Sequence, residues 1–147
     1  MNKTAEYEFT IIVPIYNEEE NISELEKAFR AYLPHASKRT CVLFVNDGSV
    51  DSSGERIEEC CRRNSDFYYI SFARNAGLSA AIKAGIDYAE SPLVGYIDAD
   101  LQTTPEDFEL LLPHTDEYAL CAHVKDAPAA TRYSSSYSRR SPTVSAA

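Results

Sequence analysis

The chain has 147 residues, 44% of them hydrophobic, and a formal net charge of −9. At this length a single domain with a real core is expected. The acidic balance excludes a nucleic-acid-binding surface, which needs clustered Lys and Arg to displace counterions, and no apolar run approaches the ~20 residues of a membrane-spanning helix. The N-terminus carries Glu6 and Glu8 ahead of the first apolar run, unlike a secretory signal with its basic start. A cytoplasmic protein is the expectation.

Strand and helix signals alternate along the chain. Phe9–Ile15 is a continuous apolar run, the pattern of a strand buried on both faces. From Glu18 to Tyr32, the residues Ile22, Leu25, Ala28, Phe29 and Tyr32 draw one helical stripe, and Pro34 ends it. Cys41–Val45 reads as a second buried strand. Asn46–Ser49 is a turn, and Asp51 or Ser52 caps a helix running to about Asn64. Phe67–Phe72 is a third strand. Asn75–Ala89 is a third helix, whose Gly77, Ala80, Ala81, Ala84 and Gly85 fit close packing on a sheet. Leu93–Ile97 is a fourth strand. Thr104-Pro105-Glu106 starts a helix that ends near Pro113, and Tyr118–Ala122 is a short fifth strand.

This alternation predicts an α/β fold, a mostly parallel sheet with flanking helices and right-handed crossovers. In such sheets ligands bind outside the carboxyl ends of the strands. Four polar loops fall at those ends: Tyr16-Asn17-Glu18, Asn46-Asp47-Gly48, Ala73-Arg74-Asn75 and Asp98-Ala99-Asp100. Neither a GxGxxG after a strand nor a GxxxxGK[ST] is present, which disfavours dinucleotide-binding dehydrogenases and P-loop NTPases.

Asp98-Ala99-Asp100 is the sharpest signal. Two carboxylates this close disfavour each other's charge unless a cation sits between them, and a hard divalent ion with oxygen ligands, Mg²⁺ or Mn²⁺, suits them. Gln102 can add a neutral oxygen. The competing reading is a solvated loop before the helix at Thr104. Asp47 either accepts hydrogen bonds from a nucleobase or ribose, or bonds only within its own turn. Tyr16 can stack on a base and Glu18 can bond a ribose, while Asn17 serves as helix N-cap. Arg74 is assigned to an ion pair with a loop acid rather than to phosphate. His35, His114 and His123 are scattered, and Cys41, Cys60, Cys61 and Cys121 read as reduced structural thiols.

The motifs Val13-Pro-Ile-Tyr-Asn-Glu18, Val45-Asn-Asp-Gly-Ser-Val-Asp51, Arg74-Asn-Ala-Gly77 and Asp98-Ala-Asp-Leu-Gln102 followed by Pro105-Glu106 resemble glycosyltransferase family 2. The last is most similar to its polyprenyl-phosphate branch, the dolichol- and undecaprenyl-phosphate sugar transferases. The resemblance spans about residues 9–112. It implies a GT-A, Rossmann-like fold and a nucleotide-diphosphate sugar donor. It implies that Pro14, Tyr16, Glu18, Asp47 and Asp98 contact the donor, and that Asp98, Asp100 and Gln102 hold a Mg²⁺ or Mn²⁺ ion. It further implies inverting transfer onto a polyprenyl phosphate or a glycan, at the cytoplasmic face of a membrane.

Past Leu120 the pattern changes. Residues 121–147 hold Lys125, Arg132, Arg139 and Arg140 against one acid, Asp126, and the end is Ser-rich. Such sequence is expected to form a disordered tail after a donor-binding domain over residues 1–120. Family members continue further, with the acceptor-side residues. A frameshift or truncation would account for the tail, and the alternative function is then a non-catalytic nucleotide-sugar-binding remnant.

Overall fold

A computed structural model describes residues 2–117, together with 120–123 and 143–146. The strands are β1 (Phe9–Ile15), β2 (Thr40–Asn46), β3 (Phe67–Ser71), β4 (Leu93–Tyr96), β5 (Leu120–His123) and β6 (Thr143–Ala146). Three α-helices alternate with the first four: α1 (Ile22–Tyr32), α2 (Ser53–Arg63) and α3 (Leu78–Tyr88). The strands pair in parallel in the order β3-β2-β1-β4-β6-β5. The expected α/β architecture is therefore the observed one.

Strict alternation sends each central strand's side chains to two cores. Phe9, Ile11, Val13 and Ile15 of β1, with Val42 and Phe44 of β2, face α1 and α2. Here Phe29, Phe44 and Phe67 meet edge to face, with ring centroids 5.9–6.3 Å apart, a geometry that favours the quadrupoles of the rings. Ile12, Leu43, Val45 and Val94 face the other way, toward Ala81 of α3. That helix lies very close to the sheet: a Cβ on Gly85 would stand 2.6 Å from Cγ2 of Ile12. The small-residue stripe is a packing feature, as its spacing predicts.

Helices α1 and α2 are stapled by Arg63, whose Nη2 and Nε donate to the two carboxylate oxygens of the buried Glu26 at 2.8 and 3.3 Å. The guanidinium holds the Glu26 carboxyl below its ordinary range. Cys41 and Cys60 are buried and Cys61 is half-buried, all as free thiols. Burial pushes them up to about 11, 12 and 12 respectively, which makes them poor nucleophiles.

Several boundaries differ from the sequence expectation. Helix α1 starts at Ile22 rather than Glu18, and α3 at Leu78 rather than Asn75. The helix expected after Thr104 is a 3-10 turn at Pro105–Leu110 followed by another at Leu112–His114. The stretch bounded by Pro105 and Pro113 is too short to stabilise a regular α-helix, and short 3-10 turns are the usual outcome. Strand β5 spans Leu120–His123, ending one residue beyond the expected Ala122. Strand β6, inserted between β4 and β5, lies in the Ser-rich stretch where no element is expected; only four residues long, it carries no period to read. The remainder of that stretch lies outside the described residues.

Candidate functional site

The carboxyl ends of β1, β2 and β4 and the start of α3 surround a pocket of about 350 Å³. Pro14, Ile15, Tyr16 and Glu18 line it from the first loop, Asp47 from the second, Asn75 and Gly77 from the third, and Asp98, Ala99 and Asp100 from the fourth. Leu78 and Ala81 of α3 complete it. Six residues singled out from the sequence (Pro14, Tyr16, Glu18, Asp47, Asp98 and Asp100) thus share one concavity.

The first two loops are knitted to each other. Asn17 adopts a left-handed backbone, φ 51°. Its N–H donates to the Ser49 hydroxyl at 3.0 Å, and its side-chain oxygen accepts the Val50 N–H at 2.9 Å. The Glu18 N–H donates to Oγ of Ser53 at 2.9 Å. The Glu19 carboxylate accepts the Ser52 N–H, and the Glu19 N–H donates to Asp51 at 3.4 Å. Asn17 is therefore not the N-cap of α1. The helix opens only after Asn21, and the Asn17 side chain is committed across the gap to the Val50 N–H.

The second loop in turn grips the third. Asp47 is 3% exposed. Its Oδ1 accepts the Ala76 N–H at 2.7 Å, and its Oδ2 accepts the Gly77 N–H and the Asn75 amide, both at 3.0 Å. The bond within the turn belongs to Asn46, whose Oδ1 accepts the Ser49 N–H at 3.1 Å. Gly48, at φ 67°, lies flat against the third loop: a Cβ there would come within 2.3 Å of the Arg74 carbonyl carbon. Arg74 itself is exposed and outside the pocket lining, and among the described residues no carboxylate pairs with it. The expected ion pair is not formed, because the 74–75 backbone, not the side chain, is what packs on the second loop.

The fourth loop is built differently. The strand alternation continues past β4: the Ile97 N–H donates to the Ile12 carbonyl at 3.0 Å, Ile97 and Ala99 are buried in the α1–α2 core, and Asp98 and Asp100 line the pocket. Leu101 then turns with φ 62°, a costly conformation for a γ-branched side chain. The Gln102 N–H donates to Oδ1 of Asp100 at 3.0 Å. Gln102 is exposed and is not among the pocket-lining residues.

Among the described residues four carboxylates (Glu18, Asp47, Asp98 and Asp100) line the pocket, and no Lys or Arg does. Among the described residues no three His, Cys, Asp or Glu gather as a complete metal site. Asp98 and Asp100 can supply two hard oxygen ligands, leaving further positions of a cation to a bound ligand. Sequence reasoning placed Asn75 in the polar loop at this edge but missed Leu78 and Ala81 as wall residues, Ala81 because the small residues there read as helix packing. The signal available was Gly77, which at φ 98° ends the loop and starts the helix.

Comparisons with known proteins bear on the family and the fold. The family model for glycosyl transferase family 2 matches residues 10–142. The glycosyltransferase YkcC of Bacillus subtilis is 40% identical over 99 residues, covering 67% of this chain and 31% of that one. The undecaprenyl-phosphate 4-deoxy-4-formamido-L-arabinose transferase of Edwardsiella ictaluri is 34% identical over 116 residues, covering 78% of this chain and 35% of that one. The chain thus spans about a third of the length of the curated relatives it matches. Among solved structures, S. aureus TarS 1-349 in complex with UDP-GlcNAc superposes with a TM-score of 0.63 at 24% identity, covering 82% of this chain and 36% of that one. The match takes in all four pocket loops and the strands that carry them, so the chain belongs to glycosyl transferase family 2 and its α/β fold is of the GT-A type.

Proposed function

We propose that this chain forms the donor-binding part of an inverting, divalent-metal-dependent glycosyltransferase whose donor is a nucleotide-diphosphate sugar. The observation that carries the reading is the acidity of the pocket lining: among the described residues Glu18, Asp47, Asp98 and Asp100 bring four carboxylates to the carboxyl edge of the sheet. Such a pocket repels a diphosphate unless a cation is bound with it. Two carboxylates from one loop suit Mg²⁺ or Mn²⁺, which commonly take one or two protein carboxylates and fill their other positions from substrate phosphates and water. When bound, the cation would neutralise the diphosphate and favour its departure.

The chain's own residues do the rest. Asp98 and Asp100 hold the metal, with Gln102 beside them on the same loop. Tyr16, 47% exposed at the rim, stacks on the nucleobase. Glu18 accepts from the ribose, and Pro14 and Asp47 form the wall beneath it. The preferred acceptor is a polyprenyl phosphate at the cytoplasmic face of a membrane, as the names of the undecaprenyl-phosphate relatives support. Its phosphate oxygen is already anionic, so attack on the anomeric carbon opposite the leaving diphosphate inverts the centre without a strong general base.

Calorimetry with UDP, GDP and CDP, each with Mn²⁺, Mg²⁺ or EDTA, tests the donor reading. Binding that requires the metal is expected for one of them. Absence of metal-dependent binding by all three overturns it. Adding the corresponding sugar nucleotide and undecaprenyl phosphate then tests transfer. Binding without transfer would favour the alternative, a nucleotide-sugar-binding module without turnover.

A further inference from the structure

We infer that Asn21 is a positioning residue for Glu18: its side-chain amide holds one oxygen of the Glu18 carboxylate, so that the other is presented to an O–H or N–H donor of the ligand. Nδ2 of Asn21 donates to Oε2 of Glu18 at 2.7 Å. Glu18 lines the pocket and Asn21 does not. Both side chains are half-buried, and among the described residues no group donates to Oε1 of Glu18.

The bond stands in place of a local one. Asn21 occupies the N-cap of α1, where an asparagine side chain ordinarily accepts the N–H of the second or third helical residue. Here it makes no such bond. Its backbone, at φ −92° and ψ −16°, is already helical, whereas a capping side chain reaches over the first turn from extended backbone. A turn closed by the Asn21 N–H on the Glu18 carbonyl, at 2.9 Å, brings the two side chains together instead. The Glu18 backbone is fixed independently, by its N–H on Oγ of Ser53 at 2.9 Å. Backbone and carboxylate are thus anchored from the starts of two helices, α2 and α1. A glutamate side chain has three rotatable bonds, and ordering it at the moment of binding weakens affinity. The Asn21 amide orders it beforehand, through a hydrogen bond to a charged group, which is among the stronger kinds. This bond lies within the first loop and ties no two loops together, so its loss leaves their docking intact. That the ligand is a nucleoside rests on the function proposed above; the hold on Glu18 does not.

The test uses the full chain in two arms, with Asn21→Ala as the variant, because the parent has no capping bond there to lose. The first arm needs no ligand. Side-chain scalar couplings of Glu18, read by NMR, should report one χ1 rotamer in the parent and rotamer averaging in Asn21→Ala. Couplings that are the same in the two chains overturn the proposal. The second arm is calorimetry with UDP, GDP and CDP plus Mn²⁺ on the parent, Asn21→Ala, Glu18→Ala and the double variant. Asn21→Ala should weaken binding about fivefold, with the melting temperature of the ligand-free chain held at the parent's. In the Glu18→Ala background it should weaken binding no further, since a residue that acts only through Glu18 has nothing left to act on. Binding as tight as the parent's overturns the proposal, and so does an equal loss in both backgrounds, which would mean that Asn21 acts by another route. Should the melting temperature fall as well, the same comparison of backgrounds decides. Couplings that average in Asn21→Ala, together with a parent chain that binds none of the three nucleotides, uphold the hold on Glu18 and sink the donor reading instead.

Discussion

The two sides of the pocket are built on opposite plans. On one side the loops after β1, β2 and β3 are tied to one another by side chain-to-backbone bonds, from Asn17 and Ser49 through Asp51 and Ser53 to Asp47 and Gly77. On the other, Asp98–Gln102 is a single loop whose Asp100 and Gln102 are exposed and whose turn rests on a left-handed Leu101. The difference teaches where each side's order comes from. The tied side is complete as a folded object before any ligand binds. The open side places the carboxylates of Asp98 and Asp100 on one short loop at the pocket, where a hard cation can take both.

That contrast predicts that damage to the tied side lowers stability, while damage to the open side lowers binding alone. The largest expected effect is Gly48→Ala. A methyl group driven to within 2.3 Å of backbone, at a left-handed φ, should cost about 3 kcal/mol or more in urea unfolding. A loss below about 1 kcal/mol would mean that the second and third loops are not rigidly docked. Next is Asp100→Ala on the open side. Metal-dependent nucleoside diphosphate binding should fall on the order of a hundredfold, about 2.7 kcal/mol, with the melting temperature of the ligand-free chain unchanged. A shared loss of stability would erase the distinction between the sides.

Much of this was legible in the sequence, and the gaps have physical causes. The continuous apolar run of Phe9–Ile15 and the stripe of Ile22, Leu25 and Phe29 are determined by local burial, so periodicity reveals them. The four loops are legible because a parallel sheet obliges its polar loops onto one edge. What Asn17 and Asp47 do is not legible. Asx residues before a helix or in a turn satisfy the same local rules whether they bond their neighbours or a loop some 30 residues away, and only the register of β1 on β2 and β2 on β3 decides which. Asn17 reads as an N-cap and is an inter-loop tie; the turn bond open to Asp47 is made by Asn46 instead. Strand β6 escapes the sequence for a different reason, since four residues that gain stability only as an added strand leave no local trace.

Asn17 offers a finer test of the tied side. Asn17→Ala removes the bond to the Val50 N–H and puts a β-carbon where a left-handed backbone penalises it, for a loss of about 1–2 kcal/mol. Asn17→Gly removes the same bond but relieves the backbone. It should recover part of that loss, in the same unfolding measurement. Equal losses in the two variants would show that the left-handed turn carries no strain and that the bond alone holds the loop.

The smallest effect is also the most specific to charge. Burial by itself would raise the Asp51 carboxyl, but the hydrogen bonds from Ser53 and from the Glu19 N–H outweigh it and leave the group below its ordinary value of 3.8. A carboxyl lowered by folding contributes stability that is fully present above its unfolded value and is lost as pH falls through the folded one. Asp51→Asn should therefore melt below the parent at neutral pH, by a degree or two at about 0.5 kcal/mol, and the gap should close as pH drops below 3.8. Glu26, held down by Arg63 on the far side of α1, loses its own contribution in the same acid range in both chains, so it cancels in the difference. A gap that persists unchanged to pH 3 would mean that Asp51 ties the loops by its shape, as a neutral amide could, and not by its charge.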